Sequence, residues 1–194
     1  MRSNMMLLMA AAIWGLGFVA QRLGMDHMGP FTFNGLRFLL GALSLLPLLW
    51  WLKSRQPRPQ PGSPSGDRRL LLAGGLIAGG VLFSAASLQQ VGLLYTTAAK
   101  AGFITGLYII LVPVIGLALR HKTGANTWVG ALIAMAGLYY LSVTEEFTIG
   151  YGDLLQVIGA LFWAIHLLVL DHYSNRVAPI RLAGVQFVVC GLLS

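Results

Sequence analysis

Residues 70–119 read LLLAGGLIAGGVLFSAASLQQVGLLYTTAAKAGFITGLYIILVPVIGLAL, and Lys100 is the single charged residue among them. A helix needs about 20 apolar residues to cross a hydrocarbon core about 30 Å thick. The stretch is therefore long enough for two membrane-spanning helices. Glycine and paired threonines interrupt the bulky apolar pattern at residues 92–97, which predicts the turn between the two helices.

The rest of the chain continues this pattern. Uncharged or nearly uncharged runs predict further spans at residues 3–21, 31–52, 123–144 and 154–170, and a seventh span that begins at Leu182. Arg2 before the first run also resembles the start of a secretory signal peptide, but this run is longer than a typical signal core, and an orderly series of spans follows it. The predicted fold class is all-α, a polytopic transmembrane helix bundle.

The composition excludes an ordinary soluble domain. Hydrophobic residues make up 57% of the 194 positions and charged residues 10%, with a mean hydropathy of +0.75, whereas soluble domains carry about 25% charge. The net charge of +7 does not indicate a nucleic-acid partner, because the basic residues lie in short loops between apolar runs. The expected partner is the lipid bilayer. The lone Cys190 can form neither an intrachain disulfide nor a cysteine metal cluster.

The distribution of Lys and Arg over alternate loops predicts the orientation. A cytoplasmic N-terminus places ten basic loop residues inside and only Arg22 outside. The ten are Arg2, Lys53, Arg55, Arg58, Arg68, Arg69, Arg120, Lys122, Arg176 and Arg181. The predicted outer connections carry the acidic residues Asp26, Glu145, Glu146 and Asp153.

An internal repeat appears when the chain is shifted by 149 positions. The shift aligns Trp14 with Trp163 and the loop prolines Pro30 and Pro179. Because the repeat unit holds five spans, the second copy enters the membrane from the opposite face, as in secondary transporters built from inverted repeats. We therefore predict a first five-helix repeat at residues 1–148 and the beginning of a second at 149–194. About six and a half of ten expected spans are present, so the sequence is expected to be a fragment or a gene product cut short.

Polar residues inside the spans are the candidates for function, because they are expensive in lipid. Arg37 could line a cavity or extend to the headgroups, and for Lys100 extension to the headgroups is the expected behaviour. His166 could relay protons or only form a packing hydrogen bond. Pro113 is the expected hinge of the fourth span. The candidate substrate-binding residues are Trp14, Gln21, Asn34, Arg37, Gln89, Thr97, Lys100, Thr105, Tyr108, Trp163 and His166.

Four segments resemble the EamA-type branch of the drug/metabolite transporter superfamily. They are AIWGLGFVAQRLG (12–24), NGLRFLLGAL (34–43), LLYTTAAKAGFITGLYIILVPVIGLAL (93–119) and WVGALIAMAGLYYL (128–141). The resemblance implies ten helices in two repeats, a location in the bacterial inner membrane, and a central cavity lined by the first, third and fourth helices. One departure is LRHKTGAN at 119–126, which lacks the acidic residue that relatives commonly carry after the fourth helix.

The predicted function is secondary transport of small polar metabolites, such as amino acids or their derivatives, by alternating access, with export as the expected direction. The cations Arg37 and Lys100 further suggest a substrate with an anionic group. The alternatives are a non-transporting membrane structural or assembly subunit, an inactive truncated product and, more remotely, a membrane enzyme. Neither the common catalytic motifs nor paired intramembrane carboxylates occur, so no enzyme activity, cofactor or metal is expected. A homodimer is possible, and the sequence does not determine the oligomeric state.

Overall fold

The computed structural model describes residues 2–55, 68–119, 124–142 and 150–194, and these residues form eight helices. The helices are α1 (Arg2–Gly24), α2 (Pro30–Arg55), α3 (Arg68–Gly92), α4 (Ala98–Gly106), α5 (Tyr108–Ala118), α6 (Ala125–Ser142), α7 (Tyr151–Ser174) and α8 (Pro179–Leu193). The all-α fold predicted from the sequence is confirmed. The predicted loop residues Arg58, Arg120, Lys122, Glu145 and Glu146 lie outside the described residues.

Length and hydropathy make most of these helices able to cross a bilayer. Five helical segments in the described part of the chain pass this test, and Ala98–Ala118, which joins α4 and α5, is the most apolar of them. The remaining two, Ala125–Gly137 within α6 and α8, are apolar but shorter. The predicted turn is also present, because α3 ends at Gly92 and α4 begins after Thr97. Thr97 caps α4 by accepting a hydrogen bond from the Lys100 backbone N–H at 3.2 Å.

The break in the fourth span lies at Leu107, before the predicted hinge Pro113. Leu107 is a single turn residue between α4 and α5, and its carbonyl accepts from the N–H groups of both Ile110 and Leu111. Pro113 lies inside α5 and is buried. A hinge motion at Pro113 during function stays a prediction.

Helix α3 lies at the centre of the described bundle. It packs along α7 on one side and along α8 on another, and α2 covers α8. Helices α4 and α5 pack against α7, with α6 beyond them, while α1 contacts α4. Phe38, Leu82, Ala86 and Cys190 form a buried apolar cluster between α2, α3 and α8. We call the end of the bundle that holds the Gly92–Ala98 connection the α3–α4 end.

The outer faces of these helices are apolar. Met6, Leu8 and Ile13 of α1 and Trp50 of α2 all expose most of their side chains. In water such a surface would be unfavourable at about 25 cal/mol for every Å² exposed, whereas lipid solvates it. We therefore expect the expressed protein to stay in the membrane pellet after washing at alkaline pH and ultracentrifugation without detergent. Recovery in the supernatant would contradict a bilayer location.

Two helices in the segments aligned by the shift of 149 begin at corresponding positions. Helix α7 begins 149 positions after α1, and Pro179 begins α8 as Pro30 begins α2. Two aligned pairs also touch across the bundle. The rings of Trp14 and Trp163 are 5.7 Å apart, and the rings of Phe38 and Phe187 are 5.7 Å apart.

Candidate functional site

A chain of hydrogen-bonded amides joins α1, α3 and α7. The Trp163 indole N–H donates to the Gln89 side-chain oxygen at 2.9 Å, and Gln89 Nε2 donates to Gln21 Oε1 at 3.1 Å. Gln21 in turn donates to the Gly17 carbonyl at 3.0 Å. Gln21 and Gln89 are both buried. Because buried polar groups are costly without partners, these bonds fix the relative positions of three helices.

Gln156 of α7 extends this chain to α4. Its Nε2 donates to the Gln89 backbone carbonyl at 2.9 Å, and its Oε1 accepts from the Thr105 hydroxyl at 3.2 Å. Gln156 is fully buried. We call Gln21, Gln89, Thr105, Gln156 and Trp163 the amide cluster. Every member except Gln156 was a candidate from the sequence.

Aromatic side chains contact one another beside the amide cluster, and the Trp14 ring among them is half exposed. Trp14 contacts Tyr108 edge-on at 6.2 Å in addition to its contact with Trp163. His166 follows Trp163 by one helical turn, with the two rings 5.9 Å apart. His166 Nε2 lies 2.8 Å from the side-chain oxygen of Gln186. The candidates Trp14, Tyr108, Trp163 and His166 are thus brought together.

Arg37 and Asn34 form a separate pair on α2. Arg37 donates to Asn34 Oδ1 at 3.0 Å, and its guanidinium lies 4.7 Å from the centre of the Phe38 ring. Asn34 is fully buried. The described contacts do not connect this pair to the amide cluster, and they show Arg37 packed against an aromatic ring.

Lys100 forms an ion pair that was not predicted from the sequence. Its Nζ lies 2.7 Å from Asp153 Oδ2. Asp153 also accepts from the Thr96 hydroxyl at 2.7 Å and from the Gly150 backbone N–H at 2.9 Å. Asp153 was predicted to lie in a connection because the predicted span began at Leu154, but α7 begins at Tyr151 and Asp153 is buried in its first turn. Lys100 is therefore not an isolated cation, while its extension to the headgroups stays a prediction.

An open cavity of about 400 Å³ lies over this ion pair at the α3–α4 end. Arg22 is on its wall and donates to the backbone carbonyl of Leu93. The candidate Thr97 also lines the cavity, although its hydroxyl caps α4. A second, mainly apolar cavity of about 280 Å³ lies beside Tyr108 and Pro113, between α5, α6 and α7. In the described part of the chain, no three His, Cys, Asp or Glu side chains gather in a way that could hold a metal ion.

Apolar helices of membrane-spanning length, with buried polar groups between them, define the chain as a polytopic helical membrane protein. The model of the EamA-like transporter family matches residues 1–143. The chain belongs to this family, as the resemblance of its four quoted segments predicted.

Similar curated proteins are named as transporters. The chain is 34% identical over 191 residues to an uncharacterized transporter of Archaeoglobus fulgidus, a match covering 97% of this chain and 55% of that protein. It is 30% identical over 135 residues to the uncharacterized transporter YetK of Bacillus subtilis, covering 69% and 39% respectively. It is 27% identical over 157 residues to the uncharacterized inner membrane transporter YedA of Escherichia coli K12, covering 78% and 47%.

The chain spans about half the length of these relatives. No solved structure matches it.

Proposed function

We propose that this protein is a secondary transporter that moves a small polar metabolite by alternating access. The observation that carries this proposal is the amide cluster, which places hydrogen-bonding groups of four helices against each other inside an apolar bundle. In lipid, such groups are retained where they bind one another or a polar solute. A solute that enters between the helices can exchange bonds with the same donors and acceptors.

The contacts between aligned residues support two inverted halves. Two residues related by a two-fold axis touch each other only where the axis passes between them. Trp14 with Trp163 and Phe38 with Phe187 are two such contacts, so a line through the two contacts is the natural pseudo-two-fold axis. Secondary transporters with inverted repeats bind their substrate at this interface. Trp14, Tyr108 and Trp163 then lie at the substrate path.

The residues around the path suit a small solute with both polar and apolar parts. The amides of Gln89 and Gln156 can donate and accept hydrogen bonds, and the Trp14 and Trp163 rings offer apolar contact. The neutral amides do not select an anion, and the Lys100 charge is already matched by Asp153. We infer amino acids or closely related derivatives as the substrate class and export as the direction.

The distribution of basic residues supports a cytoplasmic N-terminus in the bacterial inner membrane, with the α3–α4 end facing outward. A reporter that is active only in the cytoplasm, fused at residue 62 or at residue 147, tests this. We expect activity only from the fusion at 62, and activity from the fusion at 147 would reverse the topology.

Flux measurements test the transport proposal. The full-length protein is reconstituted in proteoliposomes loaded with one radiolabelled amino acid at a time, and efflux is followed under an imposed proton gradient. We expect gradient-driven efflux of at least one amino acid above that of protein-free liposomes. If no amino acid or organic anion moves faster than in the liposomes alone, the membrane structural or assembly subunit becomes the better interpretation.

A further inference from the structure

The α3–α4 hairpin is fastened to the beginning of α7. Lys100 and Thr96 both bind the carboxylate of Asp153. The rings of Tyr95 and Tyr151 meet edge-on at 5.3 Å. These contacts join the segment that ends the third span to the first turn of the second predicted repeat.

At this junction the backbone of α7 at Gly152 lies too close to the Gly92–Tyr95 backbone to leave room for a side chain at Gly152. A Cβ atom added to Gly152 would lie 2.7 Å from the Gly92 carbonyl oxygen and 2.8 Å from Tyr95 Cβ. A side chain larger than hydrogen fits there only if the backbone moves. The hairpin and α7 are therefore closed against each other in this conformation.

The ion pair lies between the open cavity and the amide cluster. Lys100 and Asp153 line the cavity of about 400 Å³. Gln156 lies three residues after Asp153 on α7, about 4.5 Å deeper, and Thr105 lies five residues after Lys100, about 7.5 Å deeper. A solute travelling along α4 and α7 meets the ion pair before it meets the amides.

We propose that the cavity is an access site for a zwitterionic solute. The Lys100–Asp153 ion pair beneath it, which we call the latch, keeps the path from the cavity to the amide cluster closed. This inference rests on the proposed transport function and deepens it. The solute opens the latch by exchange, because its carboxylate replaces Asp153 at Lys100 while its ammonium replaces Lys100 at Asp153. The net charge of the site is unchanged, and the buried Asp153 carboxylate keeps an ammonium partner.

The burial of Asp153 makes a zwitterion the matching class. The Asp153 side chain is only 4% exposed, whereas that of Lys100 is 31% exposed. Breaking a buried ion pair without replacing the lost partner is strongly unfavourable. A monocarboxylate that takes the place of Asp153 at Lys100 would leave the buried Asp153 carboxylate without an ammonium partner, whereas a zwitterion supplies one. Arg22 on the cavity wall adds a second cation beside the solute carboxylate.

Cysteine labelling tests the latch without relying on transport. Thr105→Cys is introduced into the full-length protein in a background free of other cysteines, with Cys190→Ala as one change. A membrane-impermeant thiol reagent is then added from the side that the α3–α4 end faces. We expect Asp153→Asn to raise the labelling rate by about tenfold through a shift toward the open state. Asp26→Asn, which removes an exposed carboxylate at the same end, should leave the rate unchanged.

Lys100→Gln, which removes the other partner of the ion pair, controls for an effect peculiar to position 153 and should raise the labelling rate as Asp153→Asn does, while the double variant should label no faster than either single variant. Equal labelling of the Asp153→Asn and Asp26→Asn variants, or slow labelling of Lys100→Gln, would overturn the latch.

Thermal stability in detergent tests the solute class. Each amino acid is compared with the amine that lacks its carboxylate and with the acid that lacks its ammonium. We expect at least one amino acid to raise the Tm more than both of its analogues, and this increase to disappear in Asp153→Asn but not in Asp26→Asn. An acid or amine that stabilises equally well would overturn the zwitterion assignment.

The labelling and flux experiments can fail independently. Fast labelling of Asp153→Asn without any flux in the wild type would refute the transport function but would still support the role of the ion pair in closing the path.

Discussion

Gly79→Ala is expected to destabilise the protein, whereas Gly80→Ala, one residue along the same helix, should be neutral or stabilising. A Cβ atom at Gly79 would lie 2.5 Å from Val189 Cβ and 3.0 Å from the Gln186 carbonyl oxygen of α8. Neither atom can rotate away, so α3 and α8 must separate. We expect a loss of about 1–3 kcal/mol, the usual range for an overpacked core.

Gly80 provides the matched control because a Cβ atom there would meet nothing within 4 Å. Alanine also favours helix over glycine by up to about 1 kcal/mol. Thermal denaturation of both variants in detergent, followed by size-exclusion chromatography, measures the difference. Equal midpoints for the two variants would show that the close packing of α3 on α8 does not contribute to stability.

Hydropathy and turn residues were sufficient to predict where the helices lie. The turn predicted at residues 92–97 is present, and Gly75 and Gly79, a GxxxG pair visible in the sequence, face Val185 and Val189 of α8. Lipid imposes these features strongly, since a span must be long, apolar and internally hydrogen-bonded. A single sequence therefore carries most of the fold.

Polar contacts between distant helices were harder to predict. Asp153 was assigned to a connection because a charge conventionally ends a span, yet Lys100, far earlier in the chain, neutralises it inside the first turn of α7. Gln156 was missed for a related reason, because its partners Gln89 and Thr105 belong to other helices. The sequence shows which residues are polar, but pairing depends on helix rotation and depth. A pairing search among the few intramembrane charges would have suggested Lys100 with Asp153.

The interruption of the fourth span at Leu107 is another feature that the sequence did not predict. Proline removes a backbone donor, so Pro113 was the reasonable choice for an interruption. The interruption between α4 and α5 instead lies at Leu107, whose backbone keeps helical angles (φ −59°, ψ −20°). Leucine is not a helix-breaking residue, so the identity of this residue does not predict an interruption there.

Gln89→Leu is expected to abolish most transport, while Gln90→Leu should preserve it. Gln89 accepts from Trp163 and donates to Gln21, so leucine leaves an indole N–H and an amide oxygen without these partners. Each lost bond costs about 0.6 kcal/mol on average within membrane helices and up to about 1.7 kcal/mol. We expect the protein to fold with a modestly lowered Tm, but with flux reduced about tenfold or more, which corresponds to about 1.4 kcal/mol of activation free energy.

Gln90 is the matched control because it is the same residue type, one position away and fully buried. Among the described residues, neither of its amide atoms has a hydrogen-bond partner. Replacing an unsatisfied amide with a side chain of similar size removes a desolvation cost, so Gln90→Leu should keep or raise the Tm. Initial rates in proteoliposomes, normalised to reconstituted protein, compare the two variants. Equal loss of flux in both would mean that the amide cluster has no special part in transport and that α3 tolerates no apolar change at this depth.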